Sequence, residues 1–274
     1  MPTDKPERIA KIIAAAGLCS RRDAERWIEQ GRVRLNGNTL DSPAVTVLPK
    51  DVIEVDGKNI KRQAQPVRVW LYHKPNGLVT THRDEQGRPT VFDHLPAGLP
   101  RVVSVGRLDL TSEGLLLLTT SGELARALEL PKHGLERRYR VRINGTPSDK
   151  HLHLMSRGVT IDDVTYQPFH IVDEGGKAGR NQWLVVTLKE GKNREIRRVF
   201  EYYKYPVSRL IRIAYGPFEL GDLAPGAVRE IAPGEVEKLL QTLQSATRSA
   251  PREPRSGQGQ RPKGVKGGRS PRQK

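Results

Sequence analysis

Cysteine is almost absent: Cys19 is the single one in 274 residues. That excludes an intrachain disulfide framework and a cysteine-rich zinc site, and it suits a reducing compartment. Beside Arg21 and Arg22, Cys19 itself reads as a small filler rather than a nucleophile. No run approaches the roughly 18 apolar residues that span a membrane. The segment Met1-Pro2-Thr3-Asp4-Lys5 lacks the apolar stretch of a secretory signal, so the expected location is the cytoplasm. Gly-Lys occurs at Gly57, Gly176 and Gly191 but is never followed by Ser or Thr, which excludes a Walker A phosphate loop. His151 and His153 have the spacing to share a strand face, yet no His-Glu-x-x-His or cysteine pair accompanies them, so no metal site is expected. Acids are scarce as well. Asp and Glu number 31 against 47 Lys and Arg, a surplus of +16. Such a balance favours polyanions, through phosphate contacts and counterion release.

The charge is unevenly placed. Residues 246–274 hold nine Lys or Arg and one acid, Glu253, among Gly, Pro, Ser and Gln. With almost nothing to bury, this stretch is expected to be a disordered basic tail that adds non-specific affinity. The first sixty residues form a separate unit. Ile9, Ile12, Ile13 and Ala16 recur at helical spacing, with Gly17 placed as a C-terminal cap. Ser20, with Asp23 three residues on, opens a second helix. Val33 and Leu35 alternate into Asn36-Gly37, a hairpin signal, and Val52, Ile53 and Val55 lead into Asp56-Gly57. Arg21, Arg22, Arg26, Arg32 and Arg34 crowd the second helix and the strand after it, partly balanced by Asp23, Glu25 and Glu29.

Beyond a polar linker near residues 63–66 the pattern changes. Val67, Val69 and Leu71 alternate into the turn Lys74-Pro75-Asn76-Gly77, and a polar loop follows over 80–89. The segments 115–119, 138–143 and 183–188 read as strands, and 122–130 and 193–203 as helices. Without regular βαβ alternation, this pattern argues against a doubly wound parallel sheet and for an α+β domain. Its most informative stretch is Gly106-Arg107-Leu108-Asp109-Leu110-Thr111-Ser112-Glu113-Gly114, ahead of Leu115 to Leu118. A carboxylate at the mouth of an apolar strand is costly to desolvate, which points to use. Two further segments stand out: Glu136-Arg137-Arg138-Tyr139-Arg140-Val141, and Gly191-Lys192-Asn193-Arg194-Glu195-Ile196-Arg197-Arg198.

In this order the Lys74 turn and these three segments resemble the successive motifs of the RNA pseudouridine synthases that modify ribosomal RNA. The N-terminal helices and hairpin are similar to the S4 RNA-binding module. The resemblance covers nearly the whole chain except the tail. It implies an S4 domain over 1–62 and a catalytic domain over 67–245, built on a mixed, largely antiparallel sheet flanked by helices. It implies isomerisation of uridine to pseudouridine by base flipping, as a monomer, with no cofactor and no metal. Asp109 matches the catalytic carboxylate, Tyr139 the aromatic that stacks on the flipped uracil, and Arg197 the cation that pairs with the carboxylate. Ile196 matches the apolar residue beside the tyrosine, and Arg107 a residue that fills the space of the extruded base. Lys74, Arg21 and Arg22 join the expected substrate contacts.

The Asn-Arg-Glu-Ile-Arg-Arg wording resembles the large-subunit branch of B type, which implies 23S ribosomal RNA or a large-subunit assembly intermediate as partner. Thr119-Thr120-Ser121-Gly122 departs from the Asn-Asp often found there. The rival readings are the same chemistry on 16S RNA and a catalytically silent RNA-binding assembly factor.

Overall fold

A computed structural model describes residues 6–60, 66–174 and 181–249. Residues 63–65 of the expected linker and 250–274 of the expected tail lie outside them.

The N-terminal unit comprises β1 (Glu7–Arg8), α1 (Ile9–Ala15), α2 (Arg21–Glu29), β2 (Val33–Leu35), β3 (Asn38–Thr39), β4 (Thr46–Val47), β5 (Ile53–Val55) and β6 (Lys58–Asn59). Local chemistry sets these boundaries. Gly17, at φ +80°, follows α1 in the left-handed conformation that a side chain disfavours. A full capping box starts α2: the Ser20 hydroxyl accepts the Asp23 N–H at 3.1 Å, and the Asp23 carboxylate accepts the Ser20 N–H. Asn36 and Gly37 both have positive φ, the condition for a tight hairpin between β2 and β3. Ile9, Ile13, Ala24, Ile28, Val33 and Ile53 form one core between the helices and the four-stranded sheet β3-β2-β5-β6.

The second unit comprises β7 (Val69–Lys74), β8 (Val103–Ser104), β9 (Ser112–Thr119), α3 (Gly122–Glu129), β10 (Arg137–Asn144), α4 (Asp149–Met155), β11 (Val159–Ile161), β12 (Val164–Tyr166), β13 (His170–Asp173) and β14 (Asn181–Leu188). It continues with α5 (Glu195–Tyr202), β15 (Val207–Tyr215), β16 (Phe218–Glu219), β17 (Val228–Glu230) and α6 (Pro233–Ser249). Its sheet runs β13-β14-β10-β15-β9-β7-β17, with β8 on β9 and β16 on β15. All its described pairings are antiparallel except β15 with β9. This is the mixed sheet of an α+β domain.

Alternation along β9 divides the core. Leu115 and Leu117 face α3 and α6, while Leu116 and Leu118 pack with Trp70, Tyr72, Val91 and Leu108 on the other side. A further cluster joins α5, through Ile196, Val199 and Phe200, to Val141, Leu184 and Val186. Two elements correct the sequence reading. His151 and His153 lie on α4, started by the Ser148 side chain, so positions two apart diverge instead of sharing a face. Helix α6 continues to Ser249, past residue 246, where composition places the start of the tail.

Gly114 is where the central strands come closest. It lies opposite Arg212 of β15 and Lys74 of β7, at φ +96°, and a Cβ there would sit 2.3 Å from the Arg212 carbonyl oxygen. Gly114→Ala therefore forces both backbone strain and a backbone clash. It is expected to lower stability by roughly 2–4 kcal/mol. An unchanged urea midpoint would contradict this placement.

Candidate active site

Asp109 sits on the turn that enters β9, with its side chain about one-third exposed. The turn is held almost entirely through its backbone. The Ser112 N–H donates to the Asp109 carbonyl at 3.0 Å, the Gly77 N–H to the Leu110 carbonyl at 2.9 Å, and the Thr80 hydroxyl to the Leu108 carbonyl at 2.9 Å. Beneath it lies Lys74, fully buried. Its ammonium donates to the carbonyls of Ser112 at 2.8 Å, Pro75 at 3.0 Å and Leu110 at 3.4 Å. Burial pushes the Lys74 pKa down to about 8 against the opposing pull of Asp109 and Glu113, so it remains largely an ammonium at neutral pH.

This corrects one expectation. Sequence places Lys74 among the substrate contacts, but no substrate atom can reach a fully buried amine. Its three protons instead match three carbonyls around the Asp109 turn, a positioning role.

The other wall is α5. Arg194 precedes the helix in a left-handed backbone, φ 51° and ψ 30°, and its Nη1 stands 3.8 Å from Asp109 Oδ2. Sequence resemblance assigns that pairing to Arg197. The structure brings Arg197 to the backbone instead: it donates to the Thr111 carbonyl at 3.0 Å and the Val207 carbonyl at 2.9 Å. Arg197 is half-buried, and that burial lowers its pKa, with Arg194 adding to the effect and Asp109 opposing it. Arg197 therefore senses the carboxylate through space while tying its turn to β15. The direct partner, Arg194, is visible in the sequence only as one more cation in a basic helix start.

Tyr139 lies on β10 at a register shift, opposite Val186 and Arg212. It is half-buried and packs against both the cluster of Ile196 and that of Leu108, the residue before Asp109. Ile196 is almost wholly enclosed, a wall for the tyrosine rather than an exposed contact. Arg107 is exposed at the same turn. The structure thus brings Asp109, Arg194 and Arg197 together at one turn, with Arg107 exposed on that turn and Tyr139 packed between the clusters of Leu108 and Ile196. In the N-terminal unit, Arg26 pairs with Asp23, Arg32 with Asp56 and Arg34 with Glu54. Arg21 and Arg22 are exposed and have no ion pair among the described residues. Among those residues no group of three His, Cys, Asp or Glu is arranged to hold a metal ion.

The site offers a partly exposed carboxylate facing a guanidinium, with a half-buried tyrosine and an exposed arginine on adjoining elements. The family model described as RNA pseudouridylate synthase matches residues 68–202, and the S4 domain model matches residues 7–53. An uncharacterized RNA pseudouridine synthase of Rickettsia felis is 51% identical over 232 residues, covering 85% of this chain and 100% of the relative.

The chain belongs to the RNA pseudouridine synthases.

The ribosomal large subunit pseudouridine synthase B of Pseudomonas aeruginosa is 41% identical over 242 residues, 86% of this chain and 62% of that protein. A crystal structure of a pseudouridylate synthase superposes with a TM-score of 0.59 at 25% identity, covering 85% of this chain and 99% of the other. This pseudouridine synthase thus carries its family's sheet, with an S4 domain at its N-terminal end. No helix among its described residues is long and apolar enough to cross a membrane.

Proposed function

We propose that this synthase isomerises a specific uridine of 23S ribosomal RNA, with Asp109 as the reacting carboxylate. The observation that carries the chemistry is a partly exposed carboxylate on a turn clamped by Lys74 and Arg197 and faced by Arg194. The substrate assignment is supported by the large-subunit synthase of Pseudomonas aeruginosa.

The target nucleotide must leave its stack, at a cost of a few kcal/mol. Stacking on Tyr139 returns about 1–3 kcal/mol, and Arg107 takes the vacated space. Asp109 then acts beside the ribose: the N1–C1′ bond breaks, the ring rotates, a C5–C1′ bond forms, the C5 proton leaves to solvent and N1 takes up a proton. Arg194 faces the carboxylate, Arg197 ties its turn to β15, and Ile196 holds the tyrosine in place. The reaction uses no cofactor or metal. The chain works as a cytoplasmic monomer divided into an S4 domain (1–62), a linker (63–66), a catalytic domain that runs from 67 to the end of α6 and a basic arm beyond it.

The S4 domain grips RNA backbone through Arg21 and Arg22, whose planar forks suit phosphate oxygens. Replacing both by Ala is expected to weaken binding to ribosomal RNA evenly across sequences and to reduce the salt slope by about 1 for each residue. An unchanged slope would remove them from the interface.

The substrate is tested by mapping pseudouridines in 23S and 16S RNA from cells lacking the gene, with and without a plasmid copy. Loss and restoration of one 23S site is the expected result. A 16S site would reassign the substrate, and no change in either RNA would favour an assembly factor.

A further inference from the structure

The start of α5 contains a buried acid that the mechanism above does not use. Glu195 is only 3% exposed. Its Oε2 accepts the Lys192 backbone N–H at 2.9 Å, while its Oε1 is buried without a donor. The side chain that meets it is a second carboxyl, Glu190. Glu190 is the better-served anion, since it accepts the Gln167 N–H at 2.7 Å and pairs with the Lys192 ammonium. Two ionised carboxylates in contact at this depth repel strongly, and one proton between them supplies the missing donor.

We propose that Glu195 is held as a neutral acid donating its proton to Glu190, and that this bond is a positioning device for the reaction. It closes the loop from residue 190 to 195 and so fixes Arg194 opposite Asp109. A left-handed backbone at a non-glycine residue such as Arg194 persists only where its surroundings over-determine it. Here the loop is tied at its start by Arg137, which donates to the Lys189 carbonyl at 2.6 Å, and at its end by the Glu195–Glu190 bond. The other charged or titratable groups around the pair are Lys192 and Arg194 in the loop, Arg198 on α5 and Tyr166 on β12. The Tyr166 ring lies 5.9 Å from the Lys192 ammonium, and Asp162 acts on Arg198.

Burial, reinforced by Glu190, pushes Glu195 up to about 8, and Glu190 is drawn below its ordinary value. The sign follows: the bond is intact at pH 7 and is lost as pH rises through about 8.

The inference rests on Asp109 as the reacting carboxylate, so the test separates the two. An infrared difference spectrum of wild type against Glu195→Gln, on the free full-length protein at pH 7, should show a protonated carboxyl band that disappears with a midpoint near pH 8. In Glu190→Gln that midpoint should move down. With C5-tritiated ribosomal RNA, Glu195→Gln, neutral and able to donate, should keep kcat within about threefold of wild type. Glu195→Met should lose about 100-fold in kcat with little change in KM, and Arg194→Ala should share that signature. An absent band at pH 7, or a Gln variant as impaired as the Met variant, would overturn the proposal. Full activity of Asp109→Asn would sink the reading of the site and the positioning role with it, while the infrared band still reports the proton.

Discussion

Asp109→Asn is expected to lower kcat by at least about 10⁴-fold while leaving RNA affinity and folding nearly intact. The amide keeps the shape of the side chain and removes its charge and basicity. Structural cost is small because the carboxylate contributes little to the turn. Its ion pair with Arg194 spans 3.8 Å between partly exposed side chains, and such pairs contribute about 1 kcal/mol or less. The turn itself is held by backbone groups of Ser112, Gly77 and Leu110 and by the Lys74 ammonium, none of which the substitution touches. Chemistry and stability therefore separate at this residue. A thermal midpoint within a few degrees of wild type, beside the lost turnover, is the expected pair of readings.

Lys74→Met is expected to damage both. Removing the ammonium takes the donor from the carbonyls of Ser112 and Pro75, at roughly 1–3 kcal/mol for each buried acceptor, while the Leu110 carbonyl keeps the Gly77 N–H. It also relieves a desolvation cost: the drop from 10.5 to about 8 corresponds to roughly 3 kcal/mol. The balance centres on a loss of roughly 1 kcal/mol, readable as a lower urea midpoint. Because Lys74 supports the turn carrying Asp109, kcat should also fall by about 100-fold, the scale of a small misplacement of a reacting group.

The pH dependence supplies a signature for Lys74. Its folded pKa is depressed below the unfolded value, so the unfolded chain binds more protons between pH 8 and 10.5. Stability from this group therefore rises with pH across that window, and the contribution falls away as pH drops through 8. The Met variant should lack that rise. Equal slopes in the two proteins would place the amine in water rather than beneath the turn.

Much of this architecture is legible from residues alone. The capping box at Ser20 and Asp23, the Asn36-Gly37 hairpin and the polar turn ahead of Leu115 are local signals, and local interactions build them. Strand β15, Val207–Tyr215, escapes such reading because it is the sheet's inner strand between β10 and β9. Apolar residues at Leu210, Ile211, Ile213 and Ala214 serve both faces, which blurs the alternation of a half-buried strand. Helix α6 hides behind Pro233-Gly234 and a polar composition, and only tertiary contact of Val236, Leu239 and Leu243 with the sheet shows its inner stripe.

The site divides in the same way. Asp109, Tyr139 and Arg197 are recognisable by motif, but their partners depend on distances that no spacing encodes. The burial of Lys74 turns an expected substrate contact into a scaffold. The left-handed backbone at Arg194 brings that guanidinium to Asp109 and leaves Arg197 to the carbonyls of Thr111 and Val207.

The most direct measurement is tritium release from C5-labelled ribosomal RNA made in cells lacking the gene, with 23S and 16S assayed separately and Asp109→Asn run beside the wild-type protein. Bond formation at C5 expels that tritium, so the account predicts release from 23S by the wild type and none by the variant. Release by both proteins would contradict the role of Asp109. Tight RNA binding with release by neither would contradict the catalytic reading itself.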